Sequence, residues 1–246
     1  MIKIIPWADR KLSMKNWRKI WNLFPYGEIC MTEIDNEWEH HVWAQRIARY
    51  YVSRGREFSV DIHPVYQQNL LYDLLEIGVR KFYFTWGGVS KKFFFAAFDV
   101  LTMAKLVIEK YPDVKIVIVY AIPFTDVTRP PDIEMVKTSI TCICKMTEDI
   151  PQIELQFRYP HPWSGEKRQK ILKEAEDWID KSKQIKQMTV EPRCGYVTIL
   201  PNTTIYPCSY CKRKKRKKLF GNAARDKYVI GTIEKGLFRD VRCNLC

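Results

Sequence analysis

The sequence predicts an α/β fold built on a parallel sheet, with a small cysteine-rich C-terminal metal-binding domain. Three observations carry this expectation. Short apolar runs alternate with longer amphipathic ones over roughly the first 160 residues, the spacing of βαβ units. The run Ile116-Val117-Ile118-Val119-Tyr120 is apolar at every position, as in a strand covered on both faces. Five of the eight cysteines lie in the last 53 residues, four of them as Cys208-x-x-Cys211 and Cys243-x-x-Cys246. Taken alone, the residues leave a doubly wound sheet and a partial barrel equally open.

In chain order, Ile2 to Pro6 reads as a strand, and Ser13 starts a helix through Trp17, Ile20, Trp21 and Phe24. Glu28 to Thr32 is a second short apolar run. Trp38 to Tyr51 is helical, with Val42, Ile47, Tyr50 and Tyr51 on its inner face and Gly55 as its stop. Phe58 to Ile62 is a strand ending at His63-Pro64. Leu70 to Ile77 is a helix closed by Gly78 as a glycine C-cap. Val79 to Trp86 is a strand ending in Gly87-Gly88, followed by a long helix from Phe93 to Tyr111 and the strand Val114 to Pro123. A helix around Met135 to Met146 precedes the strand Ile153 to Tyr159. Glu166 to Lys183 keeps Ile171, Leu172, Ala175, Trp178 and Ile179 on one side of a helix. These make roughly six βα units. Thr189 to Leu200 and Thr203 to Pro207 then read as two strands joined by the turn pair Pro201-Asn202, with Val229 to Ile233 as a last short strand.

Composition narrows the function classes. A hydrophobic content of 46%, with 13% aromatic residues, supplies a packed core and excludes a disordered chain. No apolar run reaches the roughly 18 residues that a membrane helix requires. Met1 to Trp7 is too short for a signal peptide and is soon interrupted by Pro6, Asp9 and Arg10, so a cytoplasmic protein is expected. The net charge of +13 is unevenly spread. Residues 1–182 carry 26 basic and 24 acidic side chains, whereas residues 183–246 carry 15 and 4. Two regions with different tasks follow, 1–185 and 186–246.

Cys30, Cys142 and Cys144 are scattered among apolar residues and read as buried thiols acting as small hydrophobes. The C-terminal five read differently. A C-x-x-C turn places two thiolates on one ion or cluster, and a second pair completes a four-sulfur shell. Candidate ligands are Cys194, Cys208, Cys211, Cys243 and Cys246, one more than four positions need. Tetrathiolate chemistry suits Zn2+ or an iron–sulfur cluster, and spacing alone does not separate them.

Cys194 opens the stretch Cys194-Gly195-Tyr196-Val197-Thr198-Ile199-Leu200-Pro201-Asn202-Thr203-Thr204-Ile205-Tyr206-Pro207-Cys208. Val229-Ile230-Gly231-Thr232-Ile233 and Cys243-Asn244-Leu245-Cys246 follow it. Residues 190–246 resemble the SPASM or shorter twitch domain of radical SAM enzymes. There a cysteine leads into a hairpin ending Tyr-Pro-Cys, followed by a Gly-Asn-Ile segment and a C-x-x-C. The stretch Trp38 to Gly88 is similar to the same superfamily's barrel, with Phe58 to His63 at a strand end. The resemblance implies a partial (β/α)6-type parallel barrel over 1–185, and one 4Fe–4S cluster held by the C-terminal cysteines. It also implies a peptide or small-molecule substrate at the barrel mouth.

The same comparison exposes departures. The superfamily's C-x-x-x-C-x-x-C loop is absent, and its Gly-Gly-Glu-Pro strand end is replaced by Met31-Thr32-Glu33-Ile34-Asp35. Binding and cleavage of SAM are therefore doubtful, and the expectation is a degenerate, non-cleaving relative rather than a chain missing an N-terminal piece. Whether it is an enzyme stays open, and no catalytic residue is assigned.

Lys212, Arg213, Lys214, Lys215, Arg216, Lys217 and Lys218 form an unbroken basic run directly after Cys211. Such a run neutralises nucleic-acid phosphates or recruits an acidic partner, and Tyr206, Tyr210 and Phe220 beside it can stack on bases. A zinc-ribbon nucleic-acid-binding protein is the competing expectation. The other candidates are strand ends, where ligands sit in parallel α/β folds: Glu33, His63, Trp86 with Gly87-Gly88, Pro123 to Thr125, and Arg158 to Trp163. His63 and His161 each precede a proline and read more simply as strand terminators.

Overall fold

A computed structural model describes residues 2–4, 12–32, 34, 37–86, 91–121, 133–158, 173–174, 177–178, 188–190, 197–200, 202–206 and 229–237. It is a mixed α/β fold with a mostly parallel sheet. In chain order the elements are β1 (Ile2–Ile4), α1 (Met14–Leu23), β2 (Ile29–Met31), α2 (Trp38–Val52), β3 (Phe58–Ile62), α3 (Gln68–Ile77), β4 (Lys81–Trp86), α4 (Lys91–Lys110), β5 (Lys115–Ala121), α5 (Ile133–Thr147) and β6 (Ile153–Arg158). They are followed by β7 (Met188–Val190), β8 (Val197–Ile199), β9 (Thr204–Tyr206), β10 (Gly231–Thr232) and β11 (Gly236–Leu237). The chain divides into two compact units. One comprises Met1–Ile62, Asn69–Val79 and Pro192–Cys246, the other His63–Gln68 and Arg80–Glu191.

In the first unit β1 lies between β2 and β8, parallel to both, and β2 pairs in parallel with β3. β9, β10 and β11 extend the other side of β8 as an antiparallel ribbon. Local chemistry sets the helices. Ser13 caps α1 by accepting the Asn16 amide on its Oγ at 3.2 Å. Gly78, at φ +103°, closes α3 while its amide and that of Val79 bond back to Leu75 and Leu74. A side chain there would meet both a forbidden φ and Val52 Cγ1 at 3.2 Å.

The helix-facing side of this unit is apolar. Tyr51 of α2 stacks on Phe58 of β3 with ring centroids 5.5 Å apart, and Trp17 of α1 meets the same ring edge-on at 5.7 Å. The Tyr51 hydroxyl donates to the Trp17 carbonyl at 3.0 Å, so the ring's polar end is satisfied inside the core. Burial pushes that phenol far above its usual pKa. On α2 the buried residues are His40, Ala44, Ile47, Ala48 and Tyr51, so Val42 and Tyr50 sit at the margin of the face rather than within it.

In the second unit β4, β5, β6 and β7 pair successively in parallel. Ile116 to Tyr120 is buried along its whole length, as its unbroken apolar character predicts. Tyr120 stacks on Phe157 of β6 at 5.8 Å. Val100, Leu101, Ala104 and Val107 of α4 are buried.

One expectation is corrected here. Thr189 to Leu200 is not one strand but two with different partners: β7 pairs with β6, and β8 with β1. Pro192 and Gly195 lie between them, residues that weaken a continuous ladder. Of the helix expected over Glu166 to Lys183, only 173–174 and 177–178 are described.

Candidate metal centre

The hairpin that anchors the cysteine argument is present in the first unit. Thr198 faces Tyr206 and Ile199 faces Ile205 across β8 and β9. The connection closes through the Leu200 amide to the Thr204 carbonyl at 3.0 Å and the Thr203 amide to the Leu200 carbonyl at 2.9 Å. Thr203 carries the left-handed φ of +70° that a three-residue hairpin loop requires at this position. Its hydroxyl donates to Glu234 Oε2 at 2.6 Å, and its carbonyl accepts the Ile233 amide at 2.9 Å, tying hairpin to ribbon. Gly231 lies between β9 and β11, where an added Cβ would come 2.5 Å from the Gly236 carbonyl oxygen. Only glycine fits that approach.

All five candidate ligands, Cys194, Cys208, Cys211, Cys243 and Cys246, lie outside the described residues, as do Lys212 to Lys218, Glu33 and His161. The strands nevertheless fix how the chain leads to the cysteines. β8 begins three residues after Cys194, β9 ends two residues before Cys208, and β11 ends six residues before Cys243. Because β9 and β11 both run antiparallel to β8, these three strand termini lie at one end of the ribbon. Adjacent strands are about 4.8 Å apart, so β8 and β11 are separated by about 14 Å. An extended chain covers about 3.3–3.6 Å per residue, which brings all three leads within reach of one point. Among the described residues, no three His, Cys, Asp or Glu side chains are grouped to hold a metal ion.

Since β8 is parallel to β1, and β1 to β2 and β2 to β3, that end is the one where the parallel strands begin. The opposite end carries Thr32 and Asp61, whose side chains bond through Thr32 Oγ1 donating to Asp61 Oδ2 at 3.3 Å. The two ends therefore differ: the chain leads toward the cysteines from one, and a hydroxyl and a carboxylate stand at the other.

Sequence reasoning missed a polar row between these ends. Thr198, Lys3, Cys30 and Ser59 occupy matched positions on β8, β1, β2 and β3. They share one face of the sheet, opposite the Phe58 face that Tyr51 covers. All four are buried. Ser59 Oγ donates to Glu28 Oε1 in a short hydrogen bond. Cys30 is thus the buried free thiol that the sequence predicts, with polar neighbours on its own face. Burial chiefly, then Asp61 and Glu28, push its pKa up to about 12 against the opposing effects of Lys3 and Ser59. The signal was visible as alternation in Ile2-Lys3-Ile4, Ile29-Cys30-Met31-Thr32 and Phe58-Ser59-Val60-Asp61-Ile62.

Of the other candidates, His63 closes β3 as a strand terminator does. Its amide donates to Gln67 Oε1 at 2.9 Å, its carbonyl accepts the Gln67 amide at 3.0 Å, and its ring lies 4.3 Å from that of Tyr66. Burial lowers its pKa. Trp86 and Arg158 end β4 and β6, while Gly87-Gly88, Pro123 to Thr125 and 159–163 lie outside the described residues. Cys144 is buried and Cys142 half-buried on α5.

No family model matches the chain, and no curated protein matches it in sequence. No described helix is long and apolar enough to cross a membrane.

Proposed function

We propose that this chain is a radical-SAM-like iron–sulfur protein holding one 4Fe–4S cluster on thiolates drawn from Cys194, Cys208, Cys211, Cys243 and Cys246. The observation that carries the reading is the ribbon β8–β11, whose three cysteine-bearing leads depart from one end. The donor set fits: four thiolates suit such a cluster, and a fifth leaves one thiol spare. Bound there, the cluster supplies redox and structural chemistry; the chain's own ribbon holds the thiolates together. In this reading residues 1–185 form a partial (β/α)6-type barrel and 186–246 the SPASM/twitch-like segment of a cytoplasmic protein. Support for the barrel comes from the polar face of β8–β1–β2–β3, opposite the face that the rings of α1 and α2 cover, as the side that would line its interior. A peptide or small molecule binds at the strand ends near Asp61, and SAM cleavage forms no part of the proposal. Without the C-x-x-x-C-x-x-C loop in this sequence, reducing conditions with SAM are expected to yield no 5′-deoxyadenosine.

Anaerobic purification tests the centre. Brown protein with about four irons and four sulfides per chain is expected. A colourless protein carrying one zinc would sink the iron–sulfur reading and leave the second one, a zinc ribbon that binds nucleic acid. That alternative has its own observation, the seven cations of Lys212 to Lys218. Neutralising them should then flatten the salt dependence of nucleic-acid binding, by a slope of about 0.7–0.9 for each lost phosphate contact.

A further inference from the structure

Residues 1–182 are nearly neutral as a whole, but their charges are sorted along the chain. Segments 14–27 and 40–56, which cover α1, most of α2 and the turns that follow them, hold seven basic side chains and no acidic one. Lys15, Arg18 and Lys19 stand on α1, and Arg46 and Arg49 on α2. Arg54 and Arg56 follow in the turn before β3. Five of them are exposed, with Lys19 and Arg56 half-buried. Among the described residues none of the seven forms an ion pair. The acids nearest in sequence are Glu28, buried and bonded by Ser59, and Glu57 just before β3. A surface shaped for stability alone intersperses the two signs. Here Lys15 and Lys19 repel at i, i+4, and Arg46 and Arg49 at i, i+3. Such crowding weakens the fold and attracts a polyanion.

Aromatic rings are interleaved with these cations. Arg46 lies over the Trp43 ring at 5.9 Å, Arg54 over Tyr50 at 4.0 Å and Arg56 over Trp21 at 5.4 Å. Trp43, Arg46 and Tyr50 recur at i, i+3 and i+7, so they form one stripe of α2. The Arg54 guanidinium extends it by donating to the Tyr50 carbonyl at 3.0 Å. Trp21 of α1 meets Tyr50 edge-on at 6.4 Å, which joins the two helices into one surface. Arg56 donates to the Phe24 and Pro25 carbonyls and so shapes the turn that carries Tyr26, 86% exposed. A guanidinium held over a ring keeps its remaining donors oriented for phosphate. An exposed ring takes a base on its face.

We infer that the surface of α1, α2 and their following turns binds single-stranded nucleic acid, with Arg46, Arg49 and Arg54 on the phosphates and Tyr26 stacked on a base. Arg56, its donors committed to the turn, is a positioning residue for Tyr26. A duplex is the poorer occupant, because its bases stay stacked on one another and out of reach of that ring. An anionic membrane would meet the same cations, but Trp21, Trp43 and Tyr50 are half-buried beneath guanidiniums and offer no apolar face to enter it. The inference rests on neither metal reading and needs none of Lys212 to Lys218.

Fluorescence anisotropy on the purified full chain tests it, with a labelled oligo-uridine of about ten nucleotides as the probe. Saturable binding in the micromolar range that weakens with salt is expected. The triple variant Arg46→Gln, Arg49→Gln, Arg54→Gln should bind at least about tenfold more weakly, with a salt slope lower by about 0.7 for each lost contact. Tyr26→Ala should also bind about tenfold more weakly but keep the native slope, the signature of stacking rather than charge. If the triple variant does not fold, the double variant Arg46→Gln, Arg49→Gln replaces it, since both side chains are exposed on α2. Absence of saturable binding overturns the inference, as does Tyr26→Ala binding like the native chain or a duplex of equal length binding as tightly. Anionic vesicles that displace the probe overturn it in favour of a membrane. A further variant with Lys212 to Lys218 neutralised keeps this surface apart from the basic run. Binding retained there and weakened in the helix variant supports the inference, and the reverse overturns it while leaving the zinc-ribbon reading intact.

Discussion

Cys30 shows how far one side chain's surroundings can move its chemistry. Its thiol is desolvated first and then faces Asp61 and Glu28, with Lys3 and Ser59 opposing, so its pKa rises from 9.0 to about 12. The unfolded chain ionises this group near its ordinary value, while the folded chain keeps it protonated. Between those two values the unfolded state therefore binds fewer protons, and stability falls as pH rises. Below about pH 9 this thiol contributes no slope. Cys30→Ala should thus flatten the decline of Tm between pH 9 and 11 relative to the native chain, at the cost of a lower Tm throughout. An unchanged slope would mean that the thiol ionises as readily folded as unfolded. Alkylation gives an independent check: at pH 8 iodoacetamide should leave Cys30 unmodified in the folded protein. From the sequence alone Cys30 looked like a small hydrophobe, because its neighbours Ile29 and Met31 are apolar. The residues that define it, Lys3, Ser59 and Asp61, come from other strands, and no local pattern brings them together.

At the scale of elements, legibility followed length and punctuation. Phe58 to Ile62 emerges with the limits its alternation implies, and α3 ends where Gly78 supplies the left-handed φ. β10 and β11, two residues each, are too short to leave any periodicity, and β11 went unforeseen. Their existence depends instead on one backbone approach. Gly231 sits where a Cβ would lie 2.5 Å from the Gly236 carbonyl oxygen and 3.0 Å from Leu237 Cα. Both obstacles are backbone, so no rotamer change relieves them. Gly231→Ala should destabilise the protein by about 1–3 kcal/mol, the usual cost of overpacking. It should also lower metal occupancy, although no thiol has been touched, because β11 is the lead to Cys243 and Cys246. Denaturant unfolding with metal analysis on the same preparation measures both. Full occupancy in a variant that has lost stability would show that the ribbon and the centre are uncoupled.

Across the whole molecule the two units differ in what can hold them. In the second, β4, β5 and β6 run for six, seven and six residues, with β5 buried from Ile116 to Tyr120 beside the buried Phe82, Phe84, Leu155 and Phe157. The ribbon of the first has strands of three, three, two and two residues. Strands so short gain from a cross-link, and the proposed four-thiolate centre would supply one outside the hydrophobic account. Metal removal should therefore act locally. After chelation, hydrogen exchange should accelerate at the ribbon amides that bridge its parts: Leu200, Thr203, Ile230 and Ile233. The amides of Lys115 and Ile116, bonded to the Arg80 and Gln152 carbonyls at 2.8 and 2.9 Å, should keep their protection. Equal acceleration in both sets would mean that the centre supports the entire fold rather than the ribbon. No change in either would mean that the cysteines hold nothing on which the ribbon depends, and both the iron–sulfur and the zinc readings would fall with it.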